Sequence, residues 1–210
     1  MSKSAASSEV KSKQSQSPLM VAILPSVFLY IAAVVLVFFA REDFAATTQY
    51  WEFFIPVVAF ISILSGWSQA YAFDRSRFFY LIKQLLHWGA LGGLLWLFYD
   101  HGIRDALSAE QYNLVQLYLL GLAALIAGLY LDTKMLFFGA FIACCAYLLA
   151  DPANSAVLTS VGDAFGIENA QDKPMTMIIA AALAAFVANL FVLIAMRGAV
   201  MAKRGRTARG

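Results

Sequence analysis

Three polar residues stand within about one helical turn of each other in an otherwise apolar stretch: Lys83, Gln84 and His87. Lys83 and His87 are four apart, so a helix puts them on one face with Gln84 beside them. Ionisable side chains at membrane depth are costly and mark candidate routes for ions or solutes. Read that way, the three form a polar cytoplasmic mouth in which His87 binds or relays a solute. The structural alternative is simpler. Lys83 snorkels to the membrane surface, and His87, ~6 Å deeper along the axis, hydrogen-bonds a hydroxyl or carbonyl of a neighbouring helix. No carboxylate stands at that depth to pair with either, which favours the alternative.

Other chemistry is sparse. The second histidine, His101, lies past the far end of the same stretch, so the two cannot share a metal, and neither has a matching histidine for haem. No metal or other cofactor is expected. Ser62, Ser65 and Ser68 recur every three residues, and a pairing with His87 is the one hydrolase geometry on offer. Serines in apolar helices usually bond their own backbone instead. There is no G-x-S-x-G, H-E-x-x-H, P-loop or dinucleotide fingerprint, and the expectation is a protein that is not an enzyme. Cys144 and Cys145 are adjacent inside an apolar run and read as small buried hydrophobes. No Asp or Glu falls in the middle of any apolar run; Glu52 and Asp100 sit at the edges. Proton- or cation-coupled transport, which relies on a carboxylate near the midplane, is disfavoured accordingly.

What must position these residues is a set of six apolar runs: 19–40, 50–71, 78–99, 113–131, 134–150 and 174–196. A membrane helix needs about 20 apolar residues, and run 5 is at the short end. The chain is 61% apolar and 13% charged, against roughly 25% charged in a soluble domain, so lipid takes the place of a large core. The segments before run 1, between runs 2 and 3, between 4 and 5 and after run 6, with the run ends beside them, carry 12 of the 15 Lys and Arg, while the other segments carry ten of the 13 acids. Short basic loops stay in the cytoplasm. The expected fold is all-α: a polytopic membrane protein, a bundle of six transmembrane helices with both termini cytoplasmic. The composition suits a bacterial inner membrane.

Small residues then suggest how the helices pack. Gly89, Gly92, Gly93 and Trp96 share one face of run 3, with Gly89 and Gly93 forming a G-x-x-x-G. Such faces let helices approach closely, here more readily within the chain than between subunits. Gly121 and Gly128 on run 4 and Gly139 on run 5 read the same way, and the tight turn at 131–134 makes runs 4 and 5 antiparallel neighbours. Gln116 and Asn189 are candidates for interhelical hydrogen bonds worth about 0.6–2 kcal/mol. Trp51 and Trp67 bracket run 2 as aromatic belts. Ser108 and Gln111 have capping-box spacing ahead of run 4.

The tails and the long loop complete the organisation. Residues 1–18 are Ser-, Lys- and Gln-rich and expected to be disordered. Val157, Leu158, Val161 and Phe165 give the acidic loop 151–173 a pattern that fits either a short surface helix or an irregular loop. The tail 197–210 carries Arg197, Lys203, Arg204, Arg206 and Arg209, each worth about 1 kcal/mol against anionic lipid headgroups near the surface. No nucleic-acid motif accompanies them, and no nucleic acid is expected as a partner. The functional expectation is a non-catalytic membrane subunit or scaffold that binds lipid, other membrane proteins or further copies of itself. The alternative is a small-solute or ion transporter using the mouth on run 3.

Overall fold

Where water is absent, each backbone N–H and C=O has to find its partner inside its own segment, so long apolar runs fold as helices. The computed structural model describes residues 19–72, 77–150, 159–160, 162–164 and 166–207, and the regular structure among them is all helical. The long helices are α1 (Leu19–Glu42), α2 (Thr48–Ala72), α3 (Arg77–Asp100), α4 (Ala109–Tyr130), α5 (Lys134–Ala150) and α6 (Pro174–Thr207). Where the sequence predicts six crossings, five of these helices are long and apolar enough to cross a membrane: α1, α2, α3, α4 and α6. Helix α5 has 17 residues, about 26 Å of rise against a hydrocarbon core of about 30 Å.

The helix ends have local causes, and two of them lie beyond the apolar runs, the first as the capping-box spacing implied. Helix α4 starts at Ala109 because Ser108 and Gln111 close a capping box: the Gln111 N–H donates to Ser108 Oγ at 3.2 Å and the Ser108 N–H to Gln111 Oε1 at 3.1 Å. Helix α6 continues past Met196 to Thr207, so most of the basic tail is helical. The sequence places Lys203, Arg204 and Arg206 in its last turns, where positive charge suits the helix dipole. A 3-10 turn (Ala45–Thr47) precedes α2, and a single helical turn (Ile103–Ala106) follows Gly102, whose φ of 69° suits a residue without a Cβ. The surface-helix pattern at Val157, Leu158, Val161 and Phe165, the tail 1–18 and Arg209 lie outside the described residues.

The helices form two triads. One is α1, α5 and α6, the other α2, α3 and α4; α1 against α2 and α4 against α5 join them. The α4–α5 contact is the most extensive, an antiparallel hairpin permitted by glycine. A methyl group at Gly128 or Gly139 would overlap the backbone of Leu136 or Leu125, and one at Gly121 would lie 3.3 Å from the Ala143 nitrogen. Tyr30 ties the first triad together, with ring centres 5.6 Å from Phe138, 5.4 Å from Phe141 and 5.8 Å from Phe186.

The outside is apolar as well. On α1, Leu29, Ala33, Val37 and Ala40 are buried while Phe28, Ile31, Val35 and Phe38 face outward, and α6 exposes Leu183, Val187, Phe191 and Ile194. A helix that is hydrophobic on all sides belongs in lipid or in a large core, and a chain of 210 residues with this much outward apolar surface is an integral membrane protein. One belt residue needs correction. Trp51 is buried, edge-on to Phe54 at 6.0 Å, and fills the bundle interior, not a lipid interface. The side chain of Trp67 lies outside the described residues.

Candidate functional site at the seam of two triads

Among the described residues, the most heavily buried charges meet in the α4–α5 turn, which sequence reasoning treated as a connection and a topology signal. Helix α4 ends with the Leu131 and Asp132 N–H groups both donating to the Ala127 carbonyl. Asp132 then opens α5: its Oδ1 accepts the Lys134 backbone N–H at 3.2 Å, satisfying a donor left free by the first turn. Its second oxygen, Oδ2, faces the Lys134 ammonium at 3.5 Å and accepts a hydrogen bond from Ser65 Oγ at 3.2 Å. The Lys134 ammonium also donates to Ser65 Oγ. Asp132 is 2% exposed and Lys134 6%.

Depth gives the cluster its meaning. Ser65 lies seven residues before the end of α2, and Ser26, which borders the same space, seven after the start of α1. The turn is therefore recessed ~10 Å behind the ends of both helices. Beside it is a cavity of about 10 Å³, bordered by Ser26, Tyr30, Ser65, Asp132 and Lys134 together with apolar neighbours, which is room for one water molecule. Both triads contribute walls. Chemically, Ser65 and Lys134 resemble a nucleophile and base, but an ammonium paired with a carboxylate has no lone pair to take the serine proton. The arrangement holds charge; it does not activate a hydroxyl.

The three residues expected at one polar mouth are parted by the fold. Lys83 is exposed, Gln84 is wholly buried and His87 lies between. His87 Nε2 is 2.9 Å from the Ala123 carbonyl of α4; a carbonyl only accepts, so this nitrogen carries the proton. Gln84 belongs to a polar column along the inner face of α3. The Trp88 indole N–H donates to Gln84 Oε1 at 2.9 Å, Gln84 Nε2 donates to Tyr80 Oη at 2.5 Å, and Tyr80 Oη donates to the Ser62 carbonyl of α2 at 3.4 Å. The column pins α3 to α2, with the Tyr80 ring seated against Gly66. The i, i+4 spacing of Tyr80, Gln84 and Trp88 was its sequence signal.

The glycines also divide. Gly121, Gly128 and Gly139 lie at the α4–α5 contact, but at Gly89, Gly92 and Gly93 an added methyl meets no described atom of another helix within 4 Å. The expectation that the run 3 glycines pack within the chain is thus not realised among the described residues, because α3 turns the opposite side, Gln84, Trp88 and Leu91, toward its neighbours. Gln116 and Asn189 are both buried, yet neither amide makes the expected interhelical bond among the described residues. Ser62 and His87 are not paired, and Cys145 is buried and both cysteines are free, in keeping with a packing role. At the opposite end, Arg104 joins Glu52 at 3.2 Å and lies over the Tyr112 ring, while the Asn113 amide donates to the Phe44 carbonyl. The residues expected to meet lipid headgroups, Arg197, Lys203, Arg204 and Arg206, lie on α6, and their side chains are outside the described set.

No known family model, curated protein or solved structure matches this chain.

Proposed function

We propose that this chain crosses the membrane six times with both termini in the cytoplasm and serves as a non-catalytic subunit or scaffold. Its glycine face on α3 receives a helix from a second copy or from another membrane protein. The observation that carries this reading is a contrast within one chain. Three glycines, Gly121, Gly128 and Gly139, each abut the backbone of a neighbouring helix, while Gly89, Gly92 and Gly93 form an equivalent face with nothing against it among the described residues. Close helix approach through small residues is a main source of association in lipid. The six-crossing reading draws support from the alternation of basic and acidic segments and from the antiparallel α4–α5 pair, whose partner α4 is of full spanning length. The basic end of α6 fits anionic headgroups on the cytoplasmic side, and the composition fits a bacterial inner membrane.

The test is the mass of the intact particle extracted from native membranes in mild detergent. We expect wild-type particles heavier than one chain, and a Gly89→Leu, Gly93→Leu variant that is equally helical and thermally stable but runs as a single chain. A wild-type monomer without partners, or a variant of unchanged particle mass, refutes the scaffold role. The transporter alternative no longer rests on Lys83, Gln84 and His87, which face three different surroundings; what favours it is the buried Asp132–Lys134 pair.

A further inference from the structure

Asp132 does more than cap α5. Its capping bond uses Oδ1 alone, and a buried ion pair is commonly no better for stability than apolar residues of the same volume. The other oxygen, Oδ2, faces Ser65 and the Lys134 ammonium. The ammonium stands 3.5 Å from it, beyond the ~2.7–2.9 Å of a close charge-assisted bond. The neighbouring cavity is about the size of one water molecule and is also bordered by Ser26 and Tyr30. Tyr30 is 5% exposed and its hydroxyl has no partner among the described residues. Beside the apolar part of its wall, the cavity is bordered by one carboxylate and three hydroxyl-bearing residues, and oxygen donors are what hard cations take. The Lys134 ammonium is a compact charge on a flexible stem, and it stands where such a cation would.

We propose that Asp132, Ser65, Tyr30 and Ser26 form a site for one small monovalent cation, with the Lys134 ammonium as its tethered occupant. The site lies where the two triads meet, so withdrawal of the ammonium and entry of a free ion act on the seam between them. Pro25 borders the same cavity; it removes a hydrogen bond from α1 and gives that wall a natural point of bending. The inference is independent of the α3 face.

The experiment follows thermal unfolding of the full chain in detergent, in sodium chloride and in choline chloride of equal ionic strength. Wild type is expected to unfold at the same temperature in both. K134M should unfold earlier than wild type in choline and recover saturably with sodium, by roughly 5–10 °C at a hundredfold excess over the dissociation constant. The D132N, K134M double variant should ignore sodium. Equal midpoints for K134M in the two salts overturn the site, and a wild-type sodium response as large as that of K134M overturns the tethered occupant. If K134M does not fold in either salt, K134Q takes its place in the same melts. K134Q that folds in neither salt, or that melts alike in both, overturns the proposal, because a free sodium ion should replace the ammonium.

Discussion

Gln84 shows how one polar residue earns its place in an apolar helix. Its amide oxygen takes the Trp88 N–H and its amide nitrogen serves Tyr80, so a wholly buried side chain satisfies itself and two neighbours. Removing it strands the indole N–H, and an unsatisfied buried donor costs about 1–3 kcal/mol. Gln84→Ala should therefore unfold several degrees below wild type in a detergent melt, whereas Lys83→Ala, one residue away but exposed, should stay within about 0.5 kcal/mol. Equal melting of the two variants would remove the column from the account of how α3 is held. The sequence shows that Lys83, Gln84 and His87 are polar and close; it does not show that each meets different surroundings, because that depends on how α3 is rotated against α2 and α4.

Helices α4 and α5 set the closest approach in the bundle. Gly139 lies against the backbone of α4 at Leu125 and Ala124, where no side chain can move aside. Gly139→Val must push the hairpin apart, an overpacking cost of about 1–3 kcal/mol or more. The same change at Gly93, with open space before it, should leave the melt of the isolated chain nearly unchanged. Comparing the two variants in one detergent checks this, and a large loss at Gly93 would mean that α3 packs on both sides. The tight turn and the glycines of runs 4 and 5 made this hairpin legible from sequence. The recess of its turn was not: Asp132 and Lys134 read as ordinary loop charges because the ~10 Å of α1 and α2 standing beyond them is a matter of relative helix height.

For the whole molecule the property that sets its topology is parity. Five helices have spanning length and α5 is shorter; if α5 crosses with its partner, the two ends emerge on one side. Single cysteines introduced at Ser2 and at Gly210, in a chain with Cys144 and Cys145 replaced by Ala, should react with a membrane-impermeant maleimide only after the cytoplasmic face is opened. Labelling of one end from outside would make α5 re-entrant and reduce the crossings to five. Each end of the bundle has its own polar fastening, Arg104 with Glu52 at one and Asp132 with Lys134 and Ser65 at the other. The first is about one third exposed and contributes little; the second is buried, and breaking it by removing one charge is far more disruptive.

By itself the sequence determined that this is a helical membrane protein, and how the capping box at Ser108 and the turn at 131–134 set the ends of two helices. Those follow from apolar run length, charge alternation and local hydrogen bonding, all read along the chain. Only the tertiary structure decided which faces meet: that Gln84 turns inward and Lys83 outward, that the α3 glycines stand open, that Trp51 is interior, and that two turn charges are enclosed at the seam. In lipid, apolar side chains are equally at ease inside the bundle and outside it, so hydrophobicity cannot mark the buried face, and rotation and height are fixed by close contacts between residues far apart in sequence.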